Sequence, residues 1–134
     1  MAYKELRCYS GKKEKICLGF LPCKDVPADW RWEDWHSCEE ELLVYATDYE
    51  NLLLRYLQPI FPIADPTDGK IQERLDLCSF NFIGKDAWEV IIKNIKNDLI
   101  NISNCSEKGF YNEFVDWIET QLIWADIIVV DGNL

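Results

Sequence analysis

The sequence predicts a single α+β domain over residues 1–134, with about three helices packed on a small antiparallel or mixed sheet. Two observations carry that expectation. Apolar residues follow three-four spacing in some stretches and alternate in others, so helices and strands both occur. The predicted order, β-β-α-β-α-α-β, lacks the regular βαβ alternation of a parallel doubly wound sheet. A chain of 134 residues buries roughly two-thirds of the surface its unfolded form exposes, enough for one core without covalent staples.

Each element has a local reason. Residues 3–9 and 16–21 read as short strands joined by the turn Ser10-Gly11-Lys12-Lys13, a basic hairpin that opens the fold. Pro22 and Pro27 then break regular structure, and Trp30-Arg31-Trp32-Glu33-Asp34-Trp35 suits loop, short strand or one helical turn. Ser37 with Glu40 forms a capping box. The spacing of Leu42, Tyr45, Ala46, Tyr49, Leu53, Tyr56 and Leu57 then predicts a helix that ends at Pro59. Residues 59–69 form an irregular connection with a turn at Asp68-Gly69. Over 71–83 the alternation of Leu75, Leu77, Cys78, Phe80 and Phe82 changes phase, the mark of a strand with a bulge. Asp86 caps a helix carrying Trp88, Ile91, Ile92, Ile95, Leu99 and Ile102 on one face. After the polar break 103–109, Phe110, Phe114, Trp117, Ile118, Leu122 and Ala125 give a third helix, and Ile127-Ile128-Val129-Val130 a last buried strand.

Charge is unevenly spread. Residues 1–24 hold six cations against two anions, 25–68 two against eleven, and 69–134 six against eleven, for a net charge of −10. A field of that sign repels phosphate backbones and anionic lipids and speeds encounter with a cationic protein. Direct nucleic-acid and membrane binding are therefore not expected, and oligomeric state is left open. The opening Met1-Ala2-Tyr3-Lys4-Glu5 lacks the apolar core of a signal peptide, and no apolar run nears the roughly 20 residues that span a bilayer, so a cytoplasmic location is expected. In that compartment Cys8, Cys17, Cys23, Cys38, Cys78 and Cys105 stay reduced, and they read mostly as small buried hydrophobes.

Catalytic patterns are missing. His36 is the single histidine and cannot serve as a pair; beside Cys38 it suits a structural role better than a thiol dyad. His36, Cys38, Cys23 and Cys17 contain no C-x₂-C knuckle for zinc, and Asp65-Pro66-Thr67-Asp68-Gly69 misplaces the glycine of a calcium loop. The glycines stand too far apart to cradle a nucleotide phosphate. No catalytic residue, metal or cofactor is expected. Glu39, Glu40 and Glu41 suit the first turn of a helix as well as they suit chemistry.

What remains is the run from Asp25 to Glu50, with nine carboxylates, three tryptophans and Arg31 as the one strong cation. Indoles among carboxylates have the composition of an apolar anchor with an electrostatic rim; the plainer reading lays two of the rings over the core. The expected contact residues are Asp29, Trp30, Trp32, Glu33, Asp34 and Trp35, with Asp25, Glu41 and Asp48 as peripheral charge. In size, acidity and lack of enzymatic motifs the chain resembles the bacterial immunity proteins paired with toxins of contact-dependent growth inhibition and related polymorphic toxin systems. The resemblance is to a class that shares no one fold. It implies a non-enzymatic inhibitor whose carboxylates occupy the active site or an exosite of a cognate basic nuclease toxin. The alternatives are an acidic nucleic-acid mimic or adaptor that captures a basic factor and, last, a small thiol- or carboxylate-dependent enzyme.

Overall fold

The computed structural model describes residues 2–24 and 40–134. Its spine is the apolar run near the C-terminus. Ile127 to Val130 are all buried, which suits a β-branched strand covered on both faces, and β7 (Ile127–Gly132) accordingly lies inside the sheet. On one side it pairs antiparallel with β2 (Cys17–Cys23), on the other with β6 (Phe80–Gly84). Beyond β2 comes β3 (Glu40–Tyr45), antiparallel, and then β1 (Ala2–Glu5), which runs parallel to β3 at the edge. The five-stranded mixed sheet has the order β1-β3-β2-β7-β6, and with the helices it makes an α+β domain as the two periodicities predict.

All helices described lean on one face. Leu18, Phe20, Leu42, Val44, Ile83, Ile128 and Val130 point from the sheet into the main core, where they meet the buried faces of α2 (Lys85–Leu99) and α3 (Cys105–Leu122). Phe20 sets its ring edge-on to Phe114 at 5.3 Å and to Trp88 at 6.0 Å, aromatic geometry that adds to simple area burial. The indole N–H of Trp88 donates to the Ile128 carbonyl at 3.0 Å, so a fully buried polar atom is satisfied. Leu21, Cys23, Phe82, Ile127 and Val129, with Phe80 beside them, form a smaller cluster on the opposite, outer face.

Several expectations change. The opening hairpin does not form: β1 and β2 are separated by β3. The chain between them is held instead by Asp48, which accepts the N–H groups of Cys8, Tyr9 and Ser10. The predicted helix over 42–57 is split. Glu40 lies in β3 and so cannot close a capping box, and helical structure begins at Ala46. Glu-Glu-Leu-Leu-Val-Tyr satisfies both periods, since Leu42 and Val44 alternate as well as they repeat; pairing with both β1 and β2 settles it as strand. Helix α1 (residues 46–60) has a π-type stretch at Tyr49–Leu53, where the Leu52 carbonyl accepts the Tyr111 hydroxyl at 2.7 Å, and a 3-10 turn at Gln58–Ile60 around the expected proline stop.

The connection after Pro59 holds a cis Phe61–Pro62 bond and a two-stranded hairpin, β4 (Ile63–Ala64) with β5 (Ile71–Gln72). Its turn lies where Asp68-Gly69 places it, with Gly69 at φ 78°, a backbone region that glycine adopts without steric cost. The single bulged strand expected over 71–83 is two strands, β5 and β6, with an intervening turn tied to the buried Asn81. Its side chain accepts from Gln72 and from the Asp76 N–H, and donates to the carbonyls of Asp76 and Val130. Helix α2 starts after Gly84, so Asp86 is a first-turn acid and no cap, and Asn104 caps α3 well inside the expected polar break. Of the five cysteines described only Cys23 is buried, against the expectation that most would be. No helix among the described residues is long and apolar enough to cross a membrane.

Candidate functional site

Seven of the expected contact residues, Asp25, Asp29, Trp30, Trp32, Glu33, Asp34 and Trp35, lie outside the described residues, as do His36, Ser37 and Cys38. The chain is described up to Lys24, just past β2, and again from Glu40, the first residue of β3. Asp48 supplies no peripheral charge. Its side chain is fully buried and binds the 8–10 loop through three backbone N–H groups and the Ser10 hydroxyl, the last at 2.8 Å. A carboxylate that accepts several N–H donors is a structural anchor, with its charge spread over those bonds.

Glu41 is the described member of the expected set that faces outward. Strand alternation puts it on the sheet face away from the helices, in register with Tyr3 of β1. Its carboxylate leans over Gly19: a Cβ built on that glycine would lie 2.5 Å from Glu41 Oε1. Gly19 is also the register partner of Asp131 on β7. Carboxylates on the two strands that flank β2 thus lie on the same face beside one glycine, close enough for Glu41 to feel the Asp131 charge. A lone glycine within a strand marks close approach of another group.

The electrostatics are those of an uncompensated pair. Burial pushes the Asp131 carboxyl up to about 6, and burial followed by the Asp131 charge pushes Glu41 in the same direction. Neither accepts a hydrogen bond or meets a cation among the described residues. Cys17, two residues along β2 on the same face, has its thiol pushed up by burial first and by Glu41 and Asp131 next, with Lys13 opposing. A thiol held away from its anion is a poor nucleophile. At the β1 side of this face the Glu5 carboxylate is paired, accepting the Tyr45 hydroxyl at 2.6 Å and Arg7 at 2.5 Å, and these bonds hold it below its usual value.

Surface grooves among the described residues lie elsewhere. One, about 510 Å³, runs between α2 and α3 past Lys93, Lys96 and the exposed Ile123; another, about 330 Å³, is bounded by Tyr9, Asn51, Arg55 and Glu107. Neither borders Glu41 or Asp131. Among the described residues no group of three or more His, Cys, Asp or Glu side chains is placed to hold a metal ion.

Asp131 and Gly19 belong to the site without any expectation from the sequence, and Cys17 is weighed there only as a zinc ligand or a buried hydrophobe. A signal exists for the first two: Asp131 continues the Ile127, Val129 alternation onto an otherwise apolar face, and Gly19 interrupts a strand. No protein-family model, curated protein or solved structure matches this chain.

The raised carboxyl has a stability consequence. Its folded value, about 6, exceeds the unfolded value of about 3.9, so its contribution is fully present below pH ~4 and is lost as pH rises through 6. Replacing Asp131 with Asn should therefore raise stability at pH 7 by about 1 kcal/mol, after discount for solvent screening, and flatten the slope between pH 4 and 7. Urea midpoints across that range would check it; an unchanged slope would contradict the uncompensated pair.

Proposed function

We propose that this chain is a binding protein that captures a basic protein partner, in the manner of an immunity protein neutralising a cognate nuclease toxin. The observation that carries the reading is the Glu41–Asp131 pair beside Gly19: two partly buried carboxylates, both pushed toward protonation, with no cation beside them among the described residues. A lysine or arginine from another protein relieves that strain, since an opposite charge within reach favours the ionised form of both acids. Glu41 also continues in sequence from the acidic, tryptophan-containing run 25–39, so the sheet pair and that run suit one partner. A toxin that acts on tRNA or DNA presents cations to phosphate, and carboxylates at matched positions compete for them with fast, salt-sensitive association.

Binding is favoured over catalysis by one feature: the nearby Cys17 thiol is held away from its anion. The test is capture from the native host with the tagged full chain, identification by mass spectrometry, and surface plasmon resonance on the purified partner. A basic protein should be recovered whose association slows steeply with salt. Double reversal of Glu33 and Asp34 to Lys should slow association and weaken its salt dependence, and Trp32→Ala should mainly speed dissociation. Affinity should also fall as pH drops through 6, where Asp131 takes up its proton, and Asp131→Asn should abolish that fall. Recovery of an acidic or uncharged partner, with rates indifferent to salt, would overturn the proposal.

A further inference from the structure

We propose that the outer edge of β1 is a strand-addition site for an extended, Lys/Arg-bearing segment of a protein partner. This rests on the basic-partner reading above and specifies how such a partner would dock. The Leu6 N–H donates to the Leu43 carbonyl at 3.0 Å, which fixes the phase of the parallel β1/β3 ladder. In such a ladder alternate residues turn both backbone groups toward the neighbour, so Lys4 faces β3, and the N–H and C=O groups of Tyr3 and Glu5 face away from it. Among the described residues β1 is the last strand on that side of the sheet, and Tyr3 is 58% exposed. An edge of this kind is a ready template for a further strand.

Charge chooses the occupant. A strand laid beside β1 places alternate side chains next to Tyr3 and Glu5 on the outer face, about 4.8 Å away, with Glu41 one strand further in. A second copy of this chain carries the same net charge of −10, and the symmetric antiparallel registers centred on Lys4 or Glu5 set like charges directly opposite each other. A segment with lysine or arginine at alternate positions instead meets the second lone pairs of the Glu5 carboxylate and the Tyr3 ring. The site therefore takes a basic strand and rejects self-pairing.

The test uses the full chain with a synthetic peptide of alternating Lys and Thr and a matched Glu–Thr peptide as control. Amide hydrogen exchange is read by NMR. The Lys–Thr peptide should slow exchange at Tyr3 and Glu5 at least severalfold, and the Glu–Thr peptide should leave both unchanged. Tyr3→Pro, which removes an outward N–H and leaves the Lys4 bonds to β3 intact, should weaken the Lys–Thr peptide about tenfold, whereas Tyr3→Ala should retain most binding. Unchanged exchange at Tyr3 and Glu5 under saturating Lys–Thr peptide would overturn strand addition, and if shifts then appeared at Glu41 and Asp131 the basic-partner reading would stand without it. Equal protection by both peptides would overturn the choice of a basic occupant. The readout at Tyr3 and Glu5 in the unmodified chain decides the matter even where the proline variant fails to fold.

Discussion

Asp48→Ala should destabilise the protein by about 3–5 kcal/mol, because it strips the acceptor from three backbone N–H groups and a hydroxyl at once. The side chain is fully buried and Ser10 nearly so, so water cannot readily replace the lost oxygens. The bonds at Cys8 and Tyr9 measure 2.9 and 2.6 Å, the short range of charge-assisted hydrogen bonds, which are roughly twice as strong as neutral ones. Their loss also releases the 8–10 loop, and with it the connection that carries the chain from the β1 edge to β2. Asp48→Asn should cost less than Ala, since one amide oxygen can still accept. Ser10→Ala should cost about 1 kcal/mol, as it removes one bond of the set. Urea unfolding of the three variants gives the order directly, and a shift under 1 kcal/mol for Asp48→Ala would mean that the loop is held by something else.

Gly132→Ala should lose about 3 kcal/mol for a different reason. A Cβ at that position falls on the Leu77 carbonyl, with the Leu77 Cα only 2.9 Å away. These are backbone atoms and cannot swing aside as a side chain would. They are fixed by ladder-like bonds, Gly132 N–H to the Ser79 carbonyl and Leu134 N–H to the Leu77 carbonyl, both at 3.0 Å. One added methyl must therefore push the 77–79 turn off the end of β7, breaking bonds as well as packing. Gly11→Ala is the matched control, since a Cβ there meets nothing within 4 Å. Thermal melts of both variants, with Gly132→Ala as stable as Gly11→Ala, would refute the close approach.

Where one period applied, sequence reasoning located the element well. Trp88, Ile91, Ile92 and Ile95 share one face of α2, and Phe110, Phe114, Trp117 and Ile118 one face of α3, because each long helix lays a single stripe on the sheet. The run from Ile127 to Val130 reads as a buried strand because four successive apolar, β-branched residues leave no polar side to expose. Glu40–Tyr45 is ambiguous in sequence, since its six residues fit a helix as well as a strand, and the opening pair is misleading, since closeness in sequence favours a hairpin that the sheet does not contain. The candidate site was half legible. Glu41 belongs to the acidic run that composition singled out, whereas its counterpart Asp131 lies 90 residues further on in a stretch that looks wholly structural.

The sequence by itself determined the class of fold, the two long helices, the central C-terminal strand and the negative charge, since each is a local or summed property of neighbouring residues. Only the tertiary structure decided that β3 enters between β1 and β2, that Asp48 turns inward to hold a loop some 40 residues earlier, and that Glu41 and Asp131 come onto the strands flanking Gly19, within reach of each other's charge. The reason is physical. Periodicity records which side of a segment avoids water, but which segments then satisfy one another's backbone groups is settled by the competition among all possible pairings, and that competition is decided only when the whole chain has packed.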